Sequence, residues 1–341
     1  MARWVESLSP WPEEFGLERM RALLRDLGEP QRSYPSIHVV GTNGKGTATR
    51  TIEELLAGDG LRVGAYLSPH VRSWSERIRV GGGEAEFEQA LERVRPHAHG
   101  ATQFEVLTAA ALAEFAEQQV DVAVVEAGLG GRFDATNVVD AKVVLLTNVA
   151  LEHTDVLGET RDAIAREKLA VARPGATVVL GEPEWAPLVP GTHVVVGGAR
   201  EAAEAFLGRT VEREVQVSLP GRLEWRGPDE LWDGAHNPGG VDWLLERLPP
   251  RDWVVVASIL QGKDVDAMLA RLGGAARKFV ATRSSNSRAL TEKELGRRAE
   301  PYFERVLADP DPQNALRRAR GLGPVLATGS LYLLADLTRD D

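Results

Sequence analysis

A chain of 341 residues is longer than one ordinary hydrophobic core requires, so its length predicts two domains. Its 43% hydrophobic and 26% charged residues are typical of a globular protein, and its net charge of −10 argues against a nucleic-acid partner. The chain has no cysteine, which excludes disulfides, thiolate metal sites and a cysteine nucleophile. We find no signal-peptide pattern and no apolar run of membrane-spanning length, so we expect a soluble, cytoplasmic protein without a membrane partner.

The first part of the chain alternates strand and helix patterns. We predict strands at 36–40, 61–67, 120–126, 141–149 and 176–180, and helices at 47–58, 87–94, 102–118 and 160–171. Two of these strands, 120–126 and 141–149, are continuous apolar runs, as expected for strands buried on both faces of a parallel sheet. The order predicts a doubly wound, mostly parallel α/β sheet.

A second, smaller α/β unit follows a divider near 217–222. Its predicted strands are 253–258, 278–281 and 325–328, and its predicted helices are 239–248, 265–272, 291–298 and 312–320. We therefore predict an N-terminal domain over 1–219 and a Rossmann-like C-terminal domain over 220–341. The segment 191–213 has no clear pattern and receives no assignment.

A glycine-rich turn joins the first strand to the first helix. Backbone N–H groups in such a turn converge on an anion, and the following helix adds the positive end of its dipole. Lys45 can reach the outer phosphates of a nucleotide, and the Thr47 hydroxyl can bind Mg²⁺. Because Val39 stands where the usual phosphate loop has glycine, and Gly46 separates Lys45 from Thr47, the turn predicts nucleotide binding but neither a GTPase nor a motor ATPase. The candidate nucleotide-binding residues of the turn are Thr42, Asn43, Gly44, Lys45, Gly46 and Thr47.

Polar residues follow three further strands at the edge where α/β proteins bind ligands. Glu126 ends a buried strand, and it is either a Mg²⁺ ligand or a carboxylate that caps the next loop. His153 follows the next strand, and it is either a ligand to a second divalent ion or a hydrogen-bonded structural residue. Ser68, after an earlier strand, is either a metal ligand or a turn former.

Lys168 lies on a predicted amphipathic helix and has two interpretations. It is either a solvated lysine paired with Glu167 or Asp162, or a member of the nucleotide site. The phosphate loop is the context that makes the second interpretation worth testing.

The second domain repeats an acid and a histidine after a short strand. Asp233, Asn237 and Pro238 fit a turn followed by a helix N-cap, which leaves His236 unexplained. Arg222, in the divider, either reaches a phosphate or is an exposed linker arginine.

Taken together, these segments resemble the folylpolyglutamate synthase/dihydrofolate synthase family of Mur-ligase-like, ATP-dependent amide ligases. The resemblance keeps its order along nearly the whole chain. The segments that carry it are FGLERMRALLRDLGEPQ (15–31), HVVGTNGKGT (38–47), YLSPHVRSWSERIRV (66–80), QFEVLTAAALAEFA (103–116), VVEAGLGGRFDATN (124–137), EHTDVLGETRDAIAREK (152–168), PGRLEW (220–225), DGAHNPGG (233–240), SRALTEKEL (287–295) and TGSLYLLADL (328–337).

The resemblance implies a role for each matching residue. Lys45 and the loop amides would hold the ATP phosphates, and Arg222 and Asp233 would contact ATP with His236 nearby. Two Mg²⁺ ions are implied, with a monovalent cation as a possible addition. Their implied ligands are Thr47, Ser68 and Glu126 for the first ion, and Glu126, His153 and a carbamylated Lys168 for the second. The implied pterin contacts are Phe104, Asp134 and Ala135, with Gly16, Leu17 and Glu18 adjacent.

The implied reaction is transfer of phosphate from ATP to a substrate carboxylate, followed by attack of the L-glutamate amine. The acceptors would be dihydropteroate and reduced folates, handled by one monomeric chain. Alternatives are a folylpolyglutamate synthase with one activity, a Mur-type ligase for a UDP-linked cell-wall precursor, and a nucleotide-binding regulatory module without amide chemistry.

Overall fold

The computed structural model describes residues 1–338. The chain divides into two compact units, Met1–Val217 and Ser218–Asp341, so the division lies close to the expected boundary between residues 219 and 220. Within the described residues, no helix is both long enough and apolar enough to cross a membrane.

The first unit alternates strands and helices. Its strands are β1 (Ser36–Val40), β2 (Val63–Tyr66), β3 (Ile78–Val80), β4 (Gly83–Glu84), β5 (Val122–Glu126), β6 (Val143–Leu146), β7 (Thr177–Leu180) and β8 (His193–Val196). Its helices are α1 (Ala2–Ser7), α2 (Glu18–Asp26), α3 (Lys45–Gly58), α4 (Phe87–Val94), α5 (Gln103–Glu117), α6 (Thr154–Leu157), α7 (Arg161–Leu169) and α8 (Ala199–Leu207).

The strands of the first unit form one sheet in the order β4-β3-β2-β5-β1-β6-β7-β8. The strands from β2 through β8 in that order pair in parallel, whereas β3 and β4 add antiparallel pairing at one edge. The predicted doubly wound, mostly parallel sheet is therefore confirmed. Because β1 lies between β5 and β6, the loops that follow these strands emerge side by side.

Alternation along β1 explains why both faces of this sheet are covered. Val39 packs into one apolar cluster with α3, and Val40 packs into the other cluster with α5. Neighbouring side chains of a strand point to opposite faces, so a continuous apolar run fills two cores at once.

The second unit is a smaller α/β sheet. Its strands are β9 (Glu224–Trp225), β10 (Glu230–Trp232), β11 (Trp253–Ala257), β12 (Ala276–Ala281), β13 (Arg305–Ala308) and β14 (Val325–Thr328), in the sheet order β13-β12-β11-β14-β10-β9. All pairs are parallel except that of β9 with β10. Its helices are α9 (Pro238–Leu245), α10 (Val265–Ala275), α11 (Glu292–Ala299), α12 (Pro312–Arg320) and α13 (Leu331–Thr338).

Several elements of the structure were not predicted from the sequence, among them β8, α8 and β13. The segment 191–213, which received no assignment, contains β8 and α8. The strand β13 forms one end of the second sheet. In both strands the two end residues are exposed and the two middle residues are half-buried, so neither shows the continuous buried run of a central strand.

Candidate active site

Four neighbouring parallel strands carry several of the predicted first-unit residues at or after their carboxyl ends. In the order β2-β5-β1-β6, the strands lead to Ser68, Glu126, the phosphate loop and the segment that contains His153. This edge is where open α/β sheets bind their ligands.

The phosphate loop is fixed to the segment that follows β6. The backbone N–H groups of Thr42 and Asn43 donate to the carbonyl and side-chain oxygens of Asn148, each over 2.9 Å. The Thr147 hydroxyl donates to the Asn43 carbonyl over 2.8 Å. The N–H groups of Thr42 and Asn43 are therefore already hydrogen-bonded within the protein. The N–H groups at the start of α3 are the ones suited to binding an anion.

That helix begins at Lys45, two residues earlier than predicted. Gly44 precedes it in the left-handed conformation with φ of 80°, which glycine adopts without steric cost. The first helical residues are therefore Lys45, Gly46 and Thr47, whose N–H groups have no partner one turn earlier in the helix.

Lys45 and Lys168 meet at one carbonyl oxygen. Lys45 Nζ donates to the Gly41 carbonyl over 3.1 Å and to the Thr42 carbonyl over 3.3 Å. Lys168 Nζ, from α7, donates to the same Gly41 carbonyl over 2.8 Å. Thus the structure brings the lysine on α7 into the phosphate loop.

Burial decides between the two interpretations of Lys168. Its side chain is only 4% exposed, and the acids on its own helix pair elsewhere: Asp162 with Arg166, and Glu167 with Arg132. The alternative of a solvated lysine is therefore wrong. Burial, followed by the nearby charge of Lys45, lowers the pKa of Lys168 to about 7.

Glu126 and Ser68 are in direct contact. The Ser68 N–H donates to Glu126 Oε2 over 2.9 Å, and the carboxylate belongs to a residue that is 3% exposed. The contact exists because β2 and β5 are adjacent and parallel, so that the residues after them share one edge. A buried carboxylate beside a serine at this edge is suited to holding a cation.

His153 lies at the start of α6 with a left-handed backbone, φ 51°. Its Nε2 is 3.9 Å from Glu152 Oε1, and the Glu152 carboxylate in turn favours the charged form of Lys168. Among the acidic residues near Lys168, Glu152 has the largest effect on its pKa and raises it.

The metal-binding expectation rests mainly on hydroxyl oxygens and one acid. Among residues 1–338, no group of three or more His, Asp and Glu side chains is arranged to hold a metal ion. This finding is compatible with the predicted set, because Mg²⁺ usually takes one or two carboxylates and completes its shell with water and phosphate oxygens.

The candidate pterin residues occupy a neighbouring region. The Phe104 ring lies 6.1 Å from the Tyr66 ring, and Gly128 passes so close to the Phe104 ring that a Cβ there would collide with it. Arg19, next to Glu18, pairs with Glu105, next to Phe104, over 3.2 Å. The start of α2, with Gly16, Leu17 and Glu18 before it or at its first residue, therefore lies near the start of α5.

Asp134 is buried and shapes its own loop. Its Oδ2 accepts from the Leu129 N–H over 2.8 Å, and its Oδ1 accepts from the N–H of Thr136 over 3.0 Å and from the Thr136 hydroxyl. A hydrogen bond from the Gly128 amide adds a fourth donor. Burial raises the pKa of Asp134 although these donors oppose the shift. Ala135, within this turn, is also buried.

In the second unit, Asp233 organises the turn that holds Arg222. Its two carboxylate oxygens accept from the backbone N–H groups of Leu223 and Ala235, each over 2.9 Å. Burial raises the pKa of Asp233, while the charge of Arg222 opposes the shift. The turn interpretation of Asp233 therefore holds, and the same contacts keep Arg222 beside it.

The His236 ring is hydrogen-bonded within this turn. Its Nδ1 lies 2.8 Å from the Gly234 carbonyl, which can only accept, so Nδ1 carries a proton. Asn237 is the N-cap of α9 and accepts from the Gly240 N–H over 2.7 Å, as predicted.

Two site residues escaped the sequence reasoning altogether. Asn148 fixes the phosphate loop, and His38 is a fully buried imidazole in the middle of β1. Each is a polar residue inside or directly after an apolar run, and that interruption is the signal that could have identified them.

Comparison with known proteins identifies the family of this chain. Residues 39–174 match the Mur ligase middle domain family. The chain is similar to the dihydrofolate synthase/folylpolyglutamate synthase of Mycobacterium tuberculosis, with 31% identity over 92% of this chain and 84% of the relative. It is similar to the Escherichia coli enzyme of the same name, with 33% identity over 80% of this chain and 79% of the relative.

Solved structures of such enzymes share the fold. Mycobacterium tuberculosis folylpolyglutamate synthase, complexed with ADP and AMPPCP, has a TM-score of 0.89 and 29% identity, covering 98% of this chain and 96% of that one. Escherichia coli FolC, in complex with DHPP and ADP, has a TM-score of 0.87 and 29% identity, covering 99% and 97%. This chain belongs to the dihydrofolate synthase/folylpolyglutamate synthase family.

Proposed function

We propose that this protein is an ATP-dependent carboxylate–amine ligase that adds L-glutamate to dihydropteroate and to reduced folates. The observation that carries the proposal is the single sheet edge that gathers a phosphate loop, the Glu126–Ser68 contact and the buried Lys168. Relatives that are 28% to 33% identical over most of this chain are named for both activities.

ATP and a divalent metal are the expected small-molecule requirements. Relatives have been solved with ADP and AMPPCP and, in the Yersinia pestis enzyme, with AMPPNP and a manganese ion. We assign the phosphates to Lys45 and to the amides of Gly44, Gly46 and Thr47 at the start of α3, with Thr42 and Asn43 as the frame. Arg222, Asp233 and His236 are the contacts we assign to the nucleotide from the second unit.

The metal assignment follows from the donor chemistry. Hydroxyls of Thr47 and Ser68, the Glu126 carboxylate and the His153 imidazole are donors that Mg²⁺ or Mn²⁺ accepts. We assign the first three to one ion, and Glu126, His153 and Lys168 to a second. When bound, such ions neutralise phosphate charge and align the transferred group.

We also propose that Lys168 becomes a carbamate. The neutral amine attacks carbon dioxide, a C–N bond forms, and one proton leaves, so an ammonium becomes an anionic oxygen donor. The depressed pKa of Lys168, about 7, supports this step because it supplies neutral amine at ordinary pH. We further propose that a monovalent cation can bind at this site, and a K⁺ titration at constant ionic strength tests this.

The reaction has two steps, and we assign roles in it to residues of this chain. The acceptor carboxylate attacks the γ-phosphorus, an O–P bond forms, the bond to the ADP oxygen breaks, and an acyl phosphate results. Lys45 opposes the charge that develops on the phosphoryl oxygens. The glutamate amine then attacks the acyl carbon, phosphate leaves, and the amine gives up a proton. We assign the acceptor to Gly16, Leu17, Glu18, Phe104, Asp134 and Ala135.

The experiment that tests this function is an acceptor panel analysed by mass spectrometry. Purified protein receives ATP, Mg²⁺ and L-glutamate with dihydropteroate, tetrahydrofolate or a UDP-linked muropeptide. We expect one glutamyl addition per ADP released with each of the first two acceptors. Product from tetrahydrofolate alone indicates a single activity, product from the muropeptide alone indicates a Mur-type ligase, and ATP binding without any product indicates a regulatory module. Sedimentation of the same preparation tests the expected monomer.

A further inference from the structure

His38 is a buried polar residue at the centre of the first sheet. Its partners in register on β5 and β6 are Val125 and Val144, both apolar and fully buried. His38 itself has no exposed surface. The neighbours of this imidazole within the sheet therefore provide no reason for its polarity.

The polarity is directed at one group, the hydroxyl of Thr136. His38 Nε2 lies 2.8 Å from Thr136 Oγ1, and the same hydroxyl donates to Asp134 Oδ1. Because the hydroxyl proton goes to Asp134, Oγ1 accepts from an N–H on His38 Nε2. The order of donors is thus His38 to Thr136 to Asp134. We call these three residues the buried relay.

Asn137, the last residue of the segment 134–137, stabilises the same loop. Asn137 Oδ1 accepts from Arg173 over 2.8 Å, and Asn137 Nδ2 donates to the Arg132 carbonyl over 2.8 Å. The polar side chains of residues 134–137 therefore all serve the shape of the loop. The buried relay ties that shape to the most central strand of the sheet.

The second ring nitrogen of His38 indicates that this residue does more than fill space in the core. Within residues 1–338, Nδ1 has no hydrogen-bond partner although it is buried. A buried polar atom without a partner is costly, and an apolar side chain at this position would avoid that cost. The ring stays neutral, because burial lowers the pKa of His38 to about 3, and a neutral ring with its proton on Nε2 is the form that the Thr136 contact requires.

We propose that His38 is a positioning residue that acts through Thr136 on Asp134 and so fixes loop 128–137 for the acceptor substrate. The inference rests on the proposed function, because that function assigns this loop to the pterin end of the acceptor. It predicts a defect in acceptor binding that leaves the phosphate loop intact, although His38 lies only three residues before Gly41.

The test compares paired variants by ADP release with dihydropteroate as the acceptor. His38→Met and Thr136→Val remove the two ends of the His38–Thr136 contact, whereas His38→Gln keeps an N–H donor and Thr136→Ser keeps the hydroxyl. Thr282→Val is the matched control, because Thr282 has a buried hydroxyl without a partner in the described chain and lies in the second unit.

We expect KM for dihydropteroate to rise about fivefold to tenfold in His38→Met and in Thr136→Val, the loss expected for one hydrogen bond. KM for ATP should be unchanged. The double variant, His38→Met with Thr136→Val, should have a KM for dihydropteroate no higher than that of the more impaired single variant. His38→Gln, Thr136→Ser and Thr282→Val should stay within about twofold of wild type. If His38→Met does not fold, the Thr136 pair carries the comparison.

Two kinetic results would overturn the inference. One is a parallel rise in KM for ATP, which indicates general damage to β1, and the other is a His38→Gln variant as impaired as His38→Met. Hydrogen exchange tests the buried relay without any turnover, so its result is independent of the proposed function. We expect faster exchange of residues 128–137, but not of residues 41–47, in His38→Met. A wild-type protein without turnover contradicts the function alone, and unchanged exchange in 128–137 contradicts the relay alone.

Discussion

Lys45 and Lys168 donate hydrogen bonds to the same oxygen, the backbone carbonyl of Gly41, over 3.1 and 2.8 Å. Two ammonium groups that share one acceptor repel each other, and neither can move without affecting the phosphate loop. Burial, and then the neighbouring charge of Lys45, lower the pKa of Lys168. Conversion of one ammonium into an anion would replace that repulsion with attraction.

The first prediction is that Lys168 takes up carbon dioxide. With a pKa of about 7, about 90% of its amine is neutral at pH 8, against less than about 1% for an ordinary lysine. Protein equilibrated with ¹³C-labelled bicarbonate should show one carbamate carbon signal by NMR that is lost in Lys168→Ala. Loss of the same signal in Lys142→Ala, which changes an exposed lysine, would contradict the assignment.

The second prediction concerns turnover by the Lys168→Ala variant. Removal of an anionic ligand from a phosphoryl-transfer site should lower kcat about 10²- to 10³-fold, with partial recovery in added acetate or formate. Lys142→Ala should retain wild-type turnover under the same conditions. Full activity of Lys168→Ala would remove the carbamate from the account.

The third prediction is that Gly41 cannot be replaced by alanine. Its φ is 147°, and an added Cβ would collide with the Thr147 hydroxyl. The collision and the strained backbone should weaken ADP binding, measured by calorimetry, at least about tenfold. Gly83→Ala, at a position with open space around the added Cβ, should bind ADP as the wild type does. Normal ADP affinity in Gly41→Ala would mean that the loop binds nucleotide in another conformation.

The fourth prediction uses the depressed pKa of His38, about 3, which is caused by burial and then by the charge of Arg173. Between this value and the unfolded value of about 6.5, the unfolded chain binds a proton that the folded chain does not, so stability falls as pH falls. His38→Gln lacks this contribution, whereas Asp134 and His70, whose pKa values are also shifted by burial, are present in both proteins. From pH 6 to pH 5, the free energy of unfolding should fall by about 1 kcal/mol more in wild type than in His38→Gln. Urea unfolding followed by circular dichroism measures the difference, and equal slopes would contradict a neutral buried His38.

Much of the fold follows from the apolar pattern, and the reasons for the misses are physical. The strand 36–40, the helix 87–94 and the strand 325–328 have the predicted bounds, because each pattern ends at a charged residue, glycine or turn. The strands β8 and β13 lie at sheet edges and are only partly covered, so their sequences lack a continuous buried run.

The site divides in the same way. The phosphate loop and Glu126 can be predicted from the sequence because each motif lies at the end of one strand. The burial of Lys168 cannot be predicted in this way, since it results from the packing of α7 against a loop more than a hundred residues away. The roles of His38 and Asn148 are likewise contacts between distant segments, which a single sequence does not display.

The central claim is that the acceptor carboxylate attacks the γ-phosphorus of ATP before glutamate is added. The most direct measurement uses dihydropteroate labelled with ¹⁸O in its carboxylate, together with ATP, Mg²⁺ and L-glutamate, and analyses the released inorganic phosphate by mass spectrometry. The account predicts one ¹⁸O atom in each phosphate, because the carboxylate oxygen bonded to phosphorus leaves with it. Phosphate without the label, formed in step with the amide product, would contradict the acyl phosphate and the mechanism built on it.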